Sequence, residues 1–247
     1  MTLVAAVAAQ GGTAVTKIRI PAGTATIGSD TKTMKEQFKD GNVRLEWFAD
    51  EAPQRKAEVD AFLIDATEVT NRQYKKLFPE HEFPANLTDH PVVNVTWKMA
   101  DEYCRKIGGR LPSEAEFERA ARGDDGRVYP WGDDFDPRKA IYVESGGGGS
   151  QLKIGSFEQE SSGSNLLGGT SPVGSIEEGK SPFGVYDMAG NVWEWQAGWY
   201  DEAKKLRLLK GGSWLTSKES LRSSTRLSDA GASKFNDYGF RCAYTGE

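Results

Sequence analysis

Few side chains in this sequence could do covalent or metal chemistry, and their spacing narrows the choice. The cysteines are Cys104 and Cys242, and the histidines are His81 and His90. Two thiols cannot complete a zinc site unaided, and neither histidine stands at ligand spacing from them. By sequence spacing the cysteines are either free buried thiols or the ends of one long-range bridge. The histidines read as surface or capping residues. The carboxylates that could act as general acid or base are Glu194, Asp229 and Asp237, since carboxylates in clefts often carry shifted pKa values. No set of nucleophile, base and orienting group is recognisable, and there is no phosphate-binding loop.

The elements that must position these groups begin near Thr16. Lys17-Ile18-Arg19-Ile20 alternates polar and apolar, and Ala25 to Ser29 follows after Pro21-Ala22-Gly23, which reads as a hairpin. Residues 30 to 52 are charged and aperiodic and read as a surface loop. Ala61 to Asp65 suits a strand, and Thr67 to Thr70 caps a helix that starts at Asn71. A second helix carries Trp97, Ala100, Tyr103 and Cys104 at the spacing of a buried stripe and stops at Gly108-Gly109. A third runs from Glu114 to Ala121, with Ser113 as N-cap, Glu116 as its capping-box partner and Gly123 as its end. Tyr129 to Asp134 is a turn. Residues 145 to 170 are rich in glycine and serine, which cannot fill a core, and read as an irregular natural surface loop.

The 247 residues, 38% hydrophobic, are enough for one domain with a full core, assigned to residues 16–247. The 31 basic and 36 acidic residues leave a net charge of -5, so no overall field draws the chain to nucleic acid or to an anionic membrane. Residues 1–15 are Ala-rich and apolar, either a loose start or the remnant of an export signal, and too short to span a membrane.

An ordered series of motifs covers residues 18 to 243: Ile20-Pro21-Ala22-Gly23, Asp65 to Asn71, His90 to Trp97, Gly109 to Glu116, Tyr129 to Asp133, Gly190-Asn191-Val192-Trp193-Glu194-Trp195, and a C-terminal signature. That signature is Gly211-Gly212-Ser213-Trp214, then Leu221-Arg222-Ser223-Ser224 with Arg226, then Gly239-Phe240-Arg241-Cys242. The series resembles the formylglycine-generating enzyme (sulfatase-modifying factor) family. The resemblance implies an irregular, loop-rich α+β fold related to C-type lectins, with short sheets and two main helices.

The family's copper-binding cysteines fall on Thr216 and Leu221. A hydroxyl cannot replace a thiolate as a copper(I) ligand and a Leu offers no ligand atom, so neither copper nor formylglycine generation is expected. The resemblance further implies a disulfide between Cys104 and Cys242, which by the chain-entropy argument contributes up to about 4 to 5 kcal/mol and points to a periplasmic or otherwise extracytoplasmic setting. It implies a structural calcium site on Gly190, Asn191, Val192 and Glu194. A second calcium site needs an Asn where Ala140 stands, which argues against it.

Trp195, Ser213 and Asp237 fall on the family's substrate cleft, although Trp193, Trp195, Trp199 and Trp214 also suit core or rim packing. Between Trp214 and Tyr238 lies a polar, varied stretch with Thr216, Ser217, Lys218, Glu219, Arg226, Asp229 and Asn236 as candidate ligand contacts. The resulting expectation is a non-catalytic module that binds a protein or small ligand, with a place as a subunit of a larger assembly. Variable ligand-binding proteins of diversity-generating retroelements place changeable residues between the same anchors. The alternative is an enzyme with non-copper chemistry, similar to the siderophore-maturation branch.

Overall fold

The computed structural model describes residues 15–39, 43–143 and 169–246. In chain order the elements are β1 (Lys17–Ile20), β2 (Gly23–Ile27), α1 (Thr31–Gln37), a 3-10 helix over Leu45–Glu51, β3 (Arg55–Val59), β4 (Phe62–Asp65), α2 (Asn71–Leu77), α3 (Trp97–Lys106) and α4 (Glu114–Arg122). Then come β5 (Trp193–Asp201), β6 (Leu206–Lys210), β7 (Leu227–Ala230), β8 (Tyr238–Gly239) and β9 (Ala243–Thr245). The strands form three short sheets, ordered β1-β4-β9, β2-β3 and β7-β6-β5-β8. This is the expected irregular α+β architecture, and α3 and α4 are the longest helices among the described residues, with 10 and 9 residues.

The helix starts follow local chemistry. Thr70 and Ser113 each accept from the backbone N–H three residues on, while Gln73 and Glu116 reach back to the cap, so orphan donors at both ends of the box are satisfied. Thr96 caps α3 through Met99 N–H, and the chain leaves α3 through Gly108, at φ +79.

Two expectations fail. β1 and β2 do not form a hairpin: β1 pairs antiparallel with β4, placing Ile20 opposite Phe62, and β2 pairs with β3. Arg119 explains the corner, because its Nε donates to Pro21 O at 3.0 Å and its Nη1 to Thr24 O at 3.1 Å. Carbonyls that a tight turn would keep for itself thus serve α4, and Ile20, Phe62, Ile64 and Phe117 share one core. Residues 30 to 52 are not merely a surface loop either. Asp30 caps α1, and Met34, Phe38 and Phe48 make a small core of their own. The Arg222 guanidinium lies 4.6 Å from the Phe38 ring and 4.8 Å from that of Phe48 while it grips the buried Glu51 carboxylate at 2.6 and 2.7 Å.

The main core joins α2, α3 and the end of the chain. Tyr74, Tyr103 and Phe240 meet as an aromatic cluster beside Trp195 and Leu111. Cys104 and Cys242 are bonded within it, their Cα atoms 5.5 Å apart.

Candidate functional site

The Gly190-Asn191 turn enters β5. Gly190 has φ +89, and a Cβ there would run into the Ile141 carbonyl, so the position requires glycine. Asn191, also left-handed at φ 63, acts as a brace: its amide donates to Glu68 Oε2 at 3.0 Å and accepts from Ser171 N–H at 3.0 Å. Its carbonyl accepts from Trp214 N–H. Val192 is fully buried. Glu194 is held by Arg241 through paired bonds of 2.7 Å, both side chains being fully buried.

Two carboxylates that sequence reasoning passed over join this group. Burial pushes the Glu68 carboxyl up, and the charges of Asp187 and Glu194 push the same way. Burial also raises Asp187, which accepts from Gly174 N–H at 2.6 Å and sits at φ 54. Glu68 Oε1 is buried and meets no N–H donor among the described residues, and the Glu68 carboxyl lies beside that of Asp187. Three carboxylates therefore lie within electrostatic reach of Arg241, Glu194 bonded to it and Glu68 and Asp187 at longer range. Among the described residues no three acidic, imidazole or thiol side chains converge as a ready metal cluster, so an ion here would draw on backbone carbonyls as well. The signal in the sequence was Asp187 itself, an acid three residues before the Gly190 turn.

The cleft positions sort differently. Ser213 Oγ donates to Asp237 Oδ2 at 2.8 Å, and burial raises the Asp237 carboxyl while that bond opposes the rise. The Thr216 hydroxyl accepts from Ser213 N–H and donates to Ser213 O, both at 2.9 Å. Leu221 is fully buried against Tyr129, Ala140, Tyr142 and Ala189. Trp214 packs on Ile141 and Ile176 and donates to Asn236 O at 3.4 Å. Ser213, Trp214, Thr216, Asn236 and Asp237 are thereby brought together.

Ser217 precedes a 3-10 helix over Lys218–Leu221; Lys218 is exposed and Glu219 half-buried beside the cleft. Tyr238 donates to Asp229, which also accepts from Ser233 Oγ at 2.6 Å. Trp195 does not line the cleft: it is fully buried and donates to Val95 O at 3.0 Å, with its ring against Tyr238. Arg226 turns away, lying 4.7 Å from the Tyr200 ring, donating to Asp50 O and pairing with Glu114 at 2.8 Å. What sequence reasoning missed is Leu215 and Phe235, 44% and 50% exposed at the edge of this group, whose signal was a large apolar residue inside a polar stretch.

Beneath the site, Asp65 accepts from Cys242 N–H at 3.0 Å and Tyr244 OH at 2.9 Å, and burial pushes its carboxyl up to about 6. Among the described residues no helix is long and apolar enough to cross a membrane.

Comparison with known proteins agrees with this architecture. The chain is 37% identical over 162 residues to the bovine protein named inactive C-alpha-formylglycine-generating enzyme 2, a match covering 63% of this chain and 50% of that one. The chain thus spans about half the length of the curated relatives it matches first. PvdO from Pseudomonas aeruginosa shares the fold with a TM-score of 0.68 at 23% identity, covering 93% of this chain and 94% of that one. Treponema denticola variable protein 1 does so with a TM-score of 0.68 at 21% identity, covering 93% and 95%. Residues 4–245 match the sulfatase-modifying factor enzyme 1-like domain, and the chain belongs to that family.

Proposed function

We propose that the protein is a non-catalytic recognition module that grips a protein partner or a small ligand with the surface between Trp214 and Tyr238. The observation that carries this reading is the state of the two positions aligned with the family's copper cysteines. Leu221 is sealed in an apolar cluster, and the Thr216 hydroxyl is committed to the Ser213 backbone. Both cysteines of the chain are in the disulfide, so no thiol is left to take either place. A match to a relative named inactive is consistent with this loss. Exposed Leu215 and Phe235 beside polar Lys218, Glu219 and Asn236 supply the mixture of apolar anchor and polar rim used in recognition. The disulfide supports an extracytoplasmic setting, in which the chain would serve as a subunit of a larger assembly.

Isolation of the native complex tests this. The double variant Leu215→Asp, Phe235→Asp is expected to lose the copurifying partner with an unchanged melting temperature. Aldehyde formation on a cysteine-containing sulfatase peptide, or stoichiometric copper(I) in the purified protein, would overturn the reading. Hypervariable codons between Trp214 and Tyr238, beside a reverse transcriptase, would assign the module to the retroelement class.

Calcium belongs to the same proposal as a structural ion. Glu194, Asp187 and Glu68 with the carbonyls of Gly190 and Val192 are the residues that would hold it, in place of the proton that burial otherwise favours on Glu68 and Asp187. Calcium is expected to raise the melting temperature over the value in chelator, and Asp187→Asn to abolish the difference. An identical melting temperature with and without calcium would remove the ion from the account.

One observation favours an enzymatic alternative: the Ser213–Asp237 pair places a protonatable acid in the cleft. In that case turnover of a candidate substrate would vanish in Asp237→Asn, and turnover that persists would dismiss this site.

A further inference from the structure

Arg207 stands apart from the other arginines of the chain. Its Cζ lies 3.6 Å from the Trp97 ring centroid and 3.3 Å from that of Trp199. Two rings at that range from one carbon must cover opposite faces of the guanidinium. The arrangement follows from the fold: Arg207 on β6 is registered opposite Trp199 on β5, and Trp97 opens α3 above them. Gly231 lets the following loop pass against the Arg207 stem, since a Cβ there would meet Arg207 Cγ at 3.3 Å.

Every other arginine of the described residues that is at least partly buried is paired with a carboxylate: Arg110 with Glu116, Arg119 with Asp124, Arg122 with Glu118, Arg127 with Asp125, Arg222 with Glu51, Arg226 with Glu114 and Arg241 with Glu194. Arg207 has no carboxylate within 4.0 Å among the described residues, and its one hydrogen bond goes from Nη1 to Ala197 O at 3.3 Å. Its burial is opposed only by the more distant charges of Asp101 and Glu202. Cation–π contact offsets part of the cost of removing a guanidinium from water, but it does not use the N–H donors. With both faces covered, what remains is the edge of the fork, with Nε and Nη2 making no hydrogen bond to described residues. That edge is the geometry a carboxylate takes in a bidentate pair.

The flanks are mixed: Asp229 is registered opposite Arg207 on β7 and Asp101 and Glu202 act at longer range, while the exposed area nearby is aromatic. Trp199 is 39% exposed and Phe235 50% exposed, and the loop from Gly231 to Asn236 lies against Asn94 and Trp97, bonded through Asn94 N–H to Phe235 O and Trp97 N–H to Gly231 O. The same loop leads into Asp237 of the cleft. We propose that Arg207, held edge-on between Trp97 and Trp199, receives the carboxylate of an acidic peptide segment whose neighbouring side chain is apolar. This contact extends the recognition surface proposed above and goes beyond it, because it lies outside the Trp214–Tyr238 interval and fixes the charge of what is bound.

The test is a ligand-side exchange on the wild-type protein, backed by one variant. An acetylated, amidated Gly-Phe-Glu-Gly peptide is titrated against the Arg207 Nε–H and Trp199 indole N–H resonances, alongside its Gly-Phe-Gln-Gly counterpart and inorganic phosphate. The Glu peptide is expected to bind about tenfold or more tightly than the Gln peptide, as loss of a charge-assisted bidentate pair implies. Arg207→Lys, which keeps the charge and loses the planar fork, is expected to erase that preference. Equal affinities, or no shift of the Arg207 resonance at millimolar peptide, would overturn the proposal. So would phosphate displacing the Glu peptide at equal concentration, which would make the site a general oxyanion receptor. The outcome is separable from the cleft reading: a native complex that needs Leu215 and Phe235 and survives Arg207→Lys retires Arg207 alone.

Discussion

The disulfide end and the cleft edge of this molecule handle polar groups in opposite ways. Around Cys242, Asp65 is met by a backbone N–H and a tyrosine hydroxyl, and Arg241 by both oxygens of Glu194. At the cleft edge, Leu215 and Phe235 face solvent and Arg207 keeps its N–H edge free of any described carboxylate. A buried charge left without its partner costs several kcal/mol, so a closed region tolerates little change. An open one can change its contacts at small cost to the fold. The difference separates a region whose polar groups are satisfied within the fold from one that leaves apolar and N–H surface unused.

Breaking the closed end is expected to have the largest effects. Arg241→Met leaves Glu194 buried without a counter-charge and should cost about 3 to 5 kcal/mol in urea unfolding. A loss under about 1 kcal/mol would mean the region is not closed in the sense argued. Replacing Cys104 and Cys242 together by serine should cost about 2 to 5 kcal/mol, and added reductant should reproduce the loss in the wild type alone.

A pH measurement sharpens the same contrast. Asp65 is raised from 3.8 to about 6, so the folded state holds a proton there more readily than the unfolded chain does. Its contribution therefore grows more favourable as pH falls from above 6 towards 4, by up to about 2 to 3 kcal/mol, and levels off below. Wild type minus Asp65→Asn, compared at pH 7 and pH 4 so that other carboxylates cancel, should show this increment; equal differences at the two pH values would contradict it. The smallest effect belongs to the open edge. Lys218→Ala and Glu219→Ala should each shift stability by less than about 0.5 kcal/mol, and a larger loss would place them in the scaffold instead.

Local chemistry was the legible part of the fold. Thr70 with Gln73 and Ser113 with Glu116 satisfy donors three residues away, so α2 and α4 could be read from neighbours alone. Strand pairing could not, because Ile20 finds Phe62 rather than its near neighbours, and Arg119 claims the carbonyls at the corner between β1 and β2. Residues 30 to 52 read as a loop because the apolar residues of their core, Met34, Phe38 and Phe48 with Val43, Leu45 and Ala52 against them, are scattered among charges. In the site, Ser213, Thr216 and Asp237 were found by motif and do meet, whereas Trp195 was placed in the cleft and lies in the core. Arg207 bears no motif, and only its surroundings distinguish it from other charged residues.

The amino-acid sequence alone determined the family, the helix boundaries set by capping and the lack of thiols at positions 216 and 221, since these depend on residue identity and short spacing. The tertiary structure decided which strands pair, which charges are neutralised within the chain and which partly buried guanidinium has no carboxylate partner among the described residues. Those outcomes depend on what distant segments bring within a few ångströms, and burial fixes their energy only once the chain has closed around them.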